Sequence, residues 1–343
     1  MLFDMSSKKR VEEVHGGAVV FDAHCDRIMT LMPEEPRLGS PPPEPGTSMG
    51  EHLDLLEAGG VDCQIWAVYI EPLYHPIALR RALQMIDVFH EEALKLGDRI
   101  AFCLNHKEIV EAVGKGKHAA VLAVEGGEPL MGDPRMVSVF HKLGVRSMGL
   151  THFPRNKLAD GSAEVSSDSG LSGFGVSVVE AMNDLDMVVD VSHINERGFW
   201  QVLELSKAPA IASHSNCKAL CEHHRNLTDD QIRALGEKGW TMGITYVAPF
   251  LEKVEDPMDF SGSSSSVDRV LDHIDHAVEL IGSEHVGLGS DYRGAGPTKI
   301  RGIEDISKTP NVTRGLVERG YSDEDIENIL GGSFLRVFKE VLG

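Results

Sequence analysis

The chain has 343 residues and a formal net charge of −20, with 42% hydrophobic and 25% charged residues. Phosphate groups repel so acidic a chain, which argues against nucleic acid or an anionic membrane surface as its main partner. The apolar content suffices for a large core, so folding requires neither disulfides nor a structural metal.

The five cysteines have no regular spacing that would indicate a disulfide framework. The first ten residues lack the apolar segment of a signal peptide, and no apolar stretch reaches the length of a membrane span. We therefore expect reduced thiols, a cytoplasmic location and no membrane partner.

Eight apolar, β-rich runs occur along the chain, and amphipathic helical patterns lie between most of them. Near-continuous apolar runs of this kind predict parallel strands that are covered on both faces. The predicted strands are residues 18–26, 61–70, 119–126, 145–152, 187–193, 209–214, 241–247 and 285–291. The predicted helices include residues 77–96, 107–113, 134–143, 176–185, 196–205, 228–238 and 267–281.

Eight strand-and-helix units predict an α/β fold of the (β/α)8 TIM barrel type. The rival fold is a doubly wound open sheet, which would need a glycine-rich phosphate loop, and the sequence contains no such motif. We find no internal repeat and no domain boundary, so we predict that residues 1–343 form one domain. A final helix is expected over residues 322–341, with Ser322 as its N-cap.

Two segments depart from this regular alternation. Residues 32–50 are rich in proline, and residues 261–266 are a glycine and serine run that we expect to be mobile. Each follows a predicted strand and precedes a helix, so both are expected on the face where barrel enzymes place their active sites. They could serve as lids or be solvated insertions, and the sequence does not decide between these roles.

Acidic or imidazole side chains stand at the ends of six predicted strands. His24 and Asp26 close the first strand, and side chains two residues apart on a strand point the same way. The carboxyl ends of barrel strands meet at one mouth, where isolated buried polar groups would be costly. A ring of such groups therefore predicts a site for zinc or a similar divalent ion. The later strands contribute Glu125, His152, His193, His214 and Asp291.

Taken together, the motifs at these positions resemble the membrane (renal) dipeptidase family, peptidase family M19 of the amidohydrolase superfamily. The resemblance spans nearly the whole chain and implies a barrel of the metal-dependent hydrolase type. The motifs that carry it are Asp22-Ala-His24-Cys-Asp26, Val124-Glu125-Gly-Gly, Leu150-Thr-His152, Asp190-Val-Ser-His193, Ser213-His214-Ser215, Arg225-Asn226-Leu227 and Gly289-Ser-Asp291.

The resemblance implies two zinc ions per chain. His24, Asp26 and Glu125 match the ligands of one ion. Glu125, His193 and His214 match the ligands of the other, so Glu125 would bridge the two ions.

The resemblance also implies the reaction of a binuclear metal-dependent dipeptidase. His152 matches the residue that contacts the scissile carbonyl, and Arg225 matches the residue that holds the free carboxylate of the substrate. Asp291 matches the acid of strand eight, which would take a proton from the water and pass it to the leaving amine. The expected reaction is attack of a metal-bridging hydroxide on a dipeptide, with a D-residue tolerated on the C-terminal side.

Two other functions stay open at this stage. The same metals could hydrolyse an N-acyl amino acid, a lactone or a β-lactam, or the barrel could bind a small peptide without catalysis. The chain departs from the family pattern at Cys25, Arg155 and Arg293. The side chain of Cys25 should point away from the metals, whereas the two arginines could favour an acidic substrate residue. The oligomeric state is undecided, with a homodimer as one alternative.

Overall fold

The computed structural model describes residues 5–32, 48–254, 263–292 and 299–343. Within these ranges the chain alternates between strands and helices, as the sequence predicts. The described strands are β1 (Phe21–Cys25), β2 (Cys63–Tyr69), β3 (Ile100–Phe102), β4 (His118–Glu125), β5 (Val145–Gly149), β6 (Val188–Asp190), β7 (Ile211–Ser215), β8 (Thr241–Ile244), β9 (Ser264–Ser266), β10 (Val286–Leu288) and β11 (Lys299–Arg301).

The described helices include all those predicted between the strands, and α8 and α11 have the predicted bounds. No helix in the described ranges combines the length and apolar character needed to cross a bilayer. The helices are α1 (Met5–Gly17), α2 (Arg27–Leu31), α3 (Met49–Ala58), α4 (Ala78–Lys95), α5 (His106–Gly114), α6 (Arg135–Lys142), α7 (Gly173–Asp184), α8 (Glu196–Leu205), α9 (Asp229–Glu237), α10 (Ala248–Leu251), α11 (Val267–Ile281), α12 (Pro310–Glu318), α13 (Asp323–Glu327) and α14 (Ser333–Leu342).

Eight parallel strands close into a barrel in the order β1, β2, β4, β5, β6, β7, β8, β10. The last strand returns to the first through the pair Asp22 and Leu288. An open doubly wound sheet would leave two edges instead, so the (β/α)8 prediction is confirmed. These eight strands are the eight runs that the sequence predicts.

Two smaller pairings were not predicted. Strand β3 adds a parallel pair to the first residues of β4, where Ile100 lies opposite His118. Strands β9 and β11 form a separate two-stranded sheet, with Ser265 opposite Ile300. The expectation of a mobile loop is therefore wrong for residues 264–266, because backbone hydrogen bonds to β11 hold them whatever their side chains. Residues 33–47, 261 and 262 lie outside the described residues.

The C-terminal segment is two helices rather than the single helix that we predicted. Ser322 caps α13 as expected, since its side chain accepts a hydrogen bond from the Asp325 amide at 3.1 Å. A wide turn over residues 328–332 then separates α13 from α14. At Gly331 in this turn a Cβ atom would lie 2.2 Å from the Val19 carbonyl oxygen, so only glycine allows so close an approach to the chain entering β1.

Helix α14 closes the amino end of the barrel. Phe334 and Phe338 are fully buried, and their ring centroids lie 5.6 and 5.3 Å from that of Phe21 in β1. Thr241, at the start of β8, donates a hydrogen bond to the Ser333 carbonyl at 3.2 Å. One end of the barrel is thus filled by aromatic side chains, which leaves the carboxyl ends of the strands as its mouth.

Candidate metal centre and substrate site

The structure brings all five predicted metal ligands together at the mouth. Each one lies within three residues of the carboxyl end of a barrel strand, and each is at most 7% exposed. They come from β1, β4, β6 and β7, whose carboxyl ends meet at the mouth of the barrel. The five are His24, Asp26, Glu125, His193 and His214.

These residues form two groups of three that share Glu125, and the candidate ligand atoms within each group lie within 4.8 Å of one another. Oε2 of Glu125 lies 3.5 Å from Nε2 of His24, which is 3.4 Å from Oδ2 of Asp26. Oε1 of Glu125 lies 3.0 Å from Nε2 of His193 and 3.4 Å from Nε2 of His214. Each oxygen of one carboxylate therefore faces a different group, as in a carboxylate that bridges two ions.

The residues fit a pair of divalent cations because several of their buried polar atoms lack partners. Nε2 of His24 and Oδ1 of Asp26 have no hydrogen-bond partner among the described residues. Nε2 of His193 lies only 2.9 Å from Nε2 of His214, so the two rings can share at most one proton there. Buried polar atoms in this state are costly, and bound cations would satisfy them. Imidazole nitrogens with carboxylate oxygens are a donor set that zinc accepts.

Electrostatics also favour a cation at this point. Burial, together with nearby positive groups, lowers the pKa of His193 and His214 well below the usual value, and the neutral ring is the form that binds metal. Burial and the neighbouring Asp26 raise the pKa of Glu125 to about 7. Burial alone would lower the pKa of His24, but Glu125 and Asp26 outweigh it and raise that pKa well above normal. The raised pKa values of His24 and Glu125 favour bound protons that a metal ion could replace.

Asp190, at the end of β6, forms hydrogen bonds with the residues that precede the candidate ligands His193 and His214. A third potential ligand group combines Asp190 with His24 and His214. However, Oδ1 of Asp190 already accepts hydrogen bonds from the amides of Ser192 at 2.9 Å and Ser213 at 3.1 Å, and Oδ2 accepts one from the Ser213 hydroxyl. We therefore assign Asp190 to positioning rather than to metal binding.

Ser213 connects Asp190 to the ring of His214. Its Oγ donates to the carboxylate and lies 2.7 Å from Nδ1 of His214. Because the hydroxyl proton goes to Asp190, the oxygen lone pair accepts the Nδ1 proton of the ring. This tautomer leaves the lone pair of Nε2 facing Glu125, which is the arrangement needed for ligation. The sequence motifs contain both residues, but the sequence analysis gave them no role.

Two site residues adopt backbone conformations that residues other than glycine rarely take. His193 has φ 68° and Asp291 has φ 59°, both in the left-handed region. Hydrogen bonds hold these turns, since the Ser162 amide donates to the His193 carbonyl at 2.6 Å and the Asp291 amide donates to the His24 carbonyl at 3.2 Å. Strain of this kind is common where a side chain must be aimed at a site.

Asp291 follows β10 and lies at the mouth beside the ligand groups. Its neighbour Ser290 donates two hydrogen bonds to Asp22, at 2.7 Å from the amide and 2.6 Å from the hydroxyl, which fix the turn. Burial, together with the carboxylates of Asp26 and Glu125, raises the pKa of Asp291 well above its usual value. The group is therefore suited to hold a proton at the site.

His152 lies beside the second ligand group, with its ring centroid 4.2 Å from that of His193. Burial lowers its pKa to about 3, so the ring is neutral. The hydroxyl of Tyr69, at the end of β2, lies 3.4 Å from Nδ1 of His152. Sequence reasoning missed Tyr69, because one tyrosine ending an apolar strand gives no metal or acid–base signal.

Arg225 is a buried cation that forms no ion pair with an acidic side chain among the described residues. It is 3% exposed, and its Nη1 and Nη2 donate to Ser215 Oγ at 3.0 Å and to the His214 carbonyl at 2.6 Å. Its Nε has no hydrogen-bond partner, and no described carboxylate forms an ion pair with it. Burial lowers its pKa to about 10. The carboxylates of Asp291, Glu125 and Asp190 attract the guanidinium without forming an ion pair with it, so an anionic ligand group in direct contact would be stabilised here.

Cys25, between the first two ligands, points away from the candidate metal centre as expected. Its Sγ lies 3.8 Å from Nε2 of His52 and 3.7 Å from the Tyr292 carbonyl oxygen. Burial raises the pKa of the thiol well above normal. Cys25 is therefore a packing residue.

Arg155 does not direct its charge at the site. It pairs with the buried carboxylate of Asp160 and donates a hydrogen bond to Ser167 at 2.9 Å, while about half of its side chain is exposed. Arg293 lies outside the described residues. The structure thus gives no support to the expectation that these two arginines favour an acidic substrate residue.

A closed barrel with two buried ligand groups around a shared glutamate has the architecture of a metal-dependent hydrolase. Within that class, the membrane dipeptidase family, peptidase family M19, matches residues 8–342. The chain belongs to this family, as its motifs predicted. It is 33% identical over 310 residues to the dipeptidase tcpJ of Claviceps purpurea, which covers 87% of this chain and 71% of that protein.

Solved structures share the fold over nearly the full length of the chain. The probable dipeptidase PvdM from Pseudomonas aeruginosa superposes with a TM-score of 0.85 at 23% identity, covering 98% of both chains. A metallopeptidase from Rhodobacter sphaeroides, liganded with a phosphinate mimic of the dipeptide L-Ala-D-Ala, superposes with a TM-score of 0.81 at 25% identity. That match covers 94% of this chain and 99% of the other.

Proposed function

We propose that this protein is a zinc-dependent dipeptidase that hydrolyses dipeptides with a free C-terminal carboxylate and accepts a D-residue at the C-terminal position. The observation that carries the proposal is the pair of buried ligand groups around Glu125, with the buried guanidinium of Arg225 beside them, which forms no ion pair with a described carboxylate. The dipeptide mimic in the Rhodobacter sphaeroides metallopeptidase supports the substrate class and the D-configuration.

His24, Asp26 and Glu125 would hold one zinc ion, and Glu125, His193 and His214 would hold the other. Bound there, the ions supply a nucleophilic water at neutral pH and polarise the scissile carbonyl. The protein contributes neutral imidazoles and a carboxylate whose two oxygens face opposite ways. It also keeps the site within a buried mouth, where such interactions are strong.

His152 and Asp291 would handle the charge and the proton of the reaction. The neutral ring of His152 donates a hydrogen bond to the carbonyl oxygen as negative charge develops on it. The carboxylate of Asp291 accepts the proton of the attacking water while the new C–O bond forms. It then gives that proton to the amine nitrogen as the C–N bond breaks, so Asp291 ends the reaction in the ionised form in which it began.

Arg225 would select for a free carboxylate. Its planar guanidinium can form paired hydrogen bonds with a carboxylate, which an ammonium group cannot match. Because the guanidinium is fixed to Ser215 and to the His214 backbone, it is held at one distance from the metal ligands. A carboxylate bound there lies one residue past the scissile bond, which restricts hydrolysis to dipeptides.

We also propose a cytoplasmic location. The five cysteines are buried and unbridged in the structure, which is the usual state of thiols in a reducing compartment. Fluorescence imaging of a tagged chain in cells, and detection of the untagged chain in cell fractions, would test this proposal. Recovery of the chain outside the cytoplasm would contradict it.

A substrate screen with and without metal tests the proposed activity. The zinc-loaded protein should hydrolyse L,L- and L,D-dipeptides, chelation should abolish the activity, and added Zn2+ should restore it. N-acyl amino acids, lactones and β-lactams belong in the same screen. Faster turnover of one of these classes would replace the dipeptidase proposal, and full activity after chelation would contradict metal dependence.

A further inference from the structure

We propose that a set of buried hydrogen bonds beside β1 fixes the carboxylate of Asp291 for proton transfer, and this rests on the acid–base role proposed above. The groups that form it act as positioning residues and are called the Asp22 network here: Ser290, Asp22, Gln64 and His52. Asp22 lies in β1 between two other barrel strands, directly opposite Gln64 of β2 on one side and a residue of β10 on the other. Ser290 follows β10 and directly precedes Asp291. The carboxylate of Asp22 can therefore connect β2 to the turn that carries Asp291.

The carboxylate of Asp22 accepts hydrogen bonds from both of these sides. On one side, Ser290 donates to it from its amide at 2.7 Å and from its hydroxyl at 2.6 Å. On the other side, Nε2 of Gln64 donates to Oδ2 of Asp22 at 2.8 Å. Both the main chain and the side chain of the residue before Asp291 are thus held by one carboxylate.

His52, in α3, sets the orientation of the Gln64 amide. Nε2 of His52 lies 2.9 Å from Oε1 of Gln64. Because an ionised carboxylate only accepts hydrogen bonds, Gln64 must turn its NH2 group to Asp22 and its oxygen to His52. The imidazole therefore donates from Nε2. One consistent arrangement of donors thus extends from α3 to the turn that carries Asp291.

The burial of the Asp22 network indicates a role beyond packing. Gln64 is 0% exposed, and Asp22 and Ser290 are each 2% exposed. Although His24 attracts it, Asp22 forms no ion pair with a described lysine or arginine. Apolar side chains in place of buried charges are often neutral or stabilising, so stability alone does not account for a carboxylate here. Support of a strained turn at the mouth does account for it.

Asp291 needs such support because its backbone is in the left-handed region, with φ 59°. Its own amide forms one long hydrogen bond, of 3.2 Å, to the His24 carbonyl. The two shorter bonds from Ser290 to Asp22 hold the turn from the preceding residue. A displacement of about 1 Å at a reacting group can lower a rate by about 10²-fold, so loss of the network should appear in kcat.

A double-mutant cycle tests whether Ser290 acts through Asp291, with kcat measured on the fastest substrate of the screen above. Ser290→Ala should lower kcat by about 10–100-fold, while KM and zinc affinity stay close to wild type. Ser290→Thr keeps the hydroxyl and should restore most of the lost kcat. In the D291N background, S290A should cause little further loss, because the carboxylate that it positions is already gone. A general structural role would instead give losses that add.

Gln64→Leu breaks the Asp22 network one bond further away and should lower kcat less than S290A does, again only while Asp291 is present. It completes the cycle if S290A does not fold. Thr241→Val is the matched control, since it removes a buried hydroxyl at the amino end of β8 and should leave kcat unchanged.

The outcomes separate this proposal from the proposed activity. Wild-type kcat in folded S290A and Q64L, or losses that add to that of D291N, would overturn the positioning role and leave the proposed activity intact. Unchanged turnover in D291N would instead contradict the acid–base role of Asp291, and the positioning role with it.

Discussion

The two ends of the barrel are built from the same strands but differ in the side chains that they bury: one end buries aromatic rings and the other buries polar and charged groups. At the amino end, Phe21 packs against Phe334 at a tilt and against Phe338 edge to face, and these three side chains carry no polar atom. At the carboxyl end, His24 and Arg225 are buried with polar atoms that have no partner among the described residues. The amino end therefore stabilises the fold, while the mouth carries a cost that a bound ligand would relieve.

Strand β4 shows the contrast within a single element. His118 begins the strand and Glu125 ends it, and both are buried and titratable. Nδ1 of His118 lies 3.2 Å from the Val61 carbonyl oxygen, and burial lowers its pKa to about 4, so it is a neutral core residue. Glu125 instead faces three imidazole rings. Burial of a titratable group does not mark a site, whereas convergence of several such groups does.

The largest expected effect comes from removing the proposed acid–base group, Asp291, at the mouth. Asp291→Asn should lower kcat by about 10²–10⁴ because proton transfer is lost, while metal content and thermal stability stay close to wild type. Asp186→Asn is the matched control, since Asp186 also has a left-handed backbone, with φ 50°, but is exposed and precedes β6, at the opposite end of the barrel strands from the candidate ligands. Near-normal turnover of D291N would assign proton transfer to another group.

Removing the buried cation should have the next largest effect, and only on substrates with a free carboxylate. Arg225→Ala forfeits a charge-assisted pair worth about 2–5 kcal/mol, so kcat/KM for L-Ala-D-Ala should fall at least about 30-fold. The C-terminal amide of the same dipeptide should be a poor substrate of wild type and lose much less in the variant. Arg155→Ala, whose partner is Asp160, should change neither value. If the wild-type protein hydrolysed the acid and the amide equally well, the proposed binding of the substrate carboxylate by Arg225 would be contradicted.

The support behind the ligands should have a smaller effect, on metal affinity. Ser213→Ala breaks the hydrogen bonds from the hydroxyl to Asp190 and to the His214 ring, so zinc affinity should fall by about 10–100-fold. Competition with a chelating indicator measures this without any activity assay. Ser177→Ala, on the exposed part of α7, is the control. Unchanged affinity in S213A would mean that other contacts fix the ring.

The smallest effect on activity is expected at the opposite end of the barrel. Phe338→Ala should lower the free energy of unfolding by about 3–5 kcal/mol, because it opens a cavity against Phe21. Activity per folded molecule should not change, since the aromatic cluster lies away from the mouth. Chemical denaturation and active-site titration measure the two quantities separately. A loss of turnover as large as that of R225A would contradict the claim that the amino end stabilises the fold without contributing to activity.

Much of this division could be predicted from the sequence. The eight barrel strands were identifiable because parallel strands buried on both faces have near-continuous apolar runs. The convergence of the candidate ligands was predictable because barrel strands end at one mouth, where polar residues such as Glu125 and His214 close an apolar run. Their division into two groups was implied by the resemblance to the family. The outcome for Cys25 followed from the alternation of side chains along a strand.

The rest depends on contacts that no local pattern encodes. Strand β3 has three residues, too few to show a period, and β9 is held by pairing with β11 rather than by its serines. The bend at Gly331 arises from its approach to Val19, which is far away in sequence. Two features emerge only when the strands are placed side by side. They are the lack of an ion pair between Arg225 and any described carboxylate, and the contact of Ser213 with the His214 ring.

Anomalous diffraction at the zinc edge from crystals grown with Zn2+ tests the central claim most directly. Two peaks per chain should appear at the mouth, one beside His24 and Asp26 and the other beside His193 and His214. Each peak should lie within bonding distance of a different oxygen of Glu125. A single peak, or two peaks that do not share Glu125, would contradict the two-ion centre.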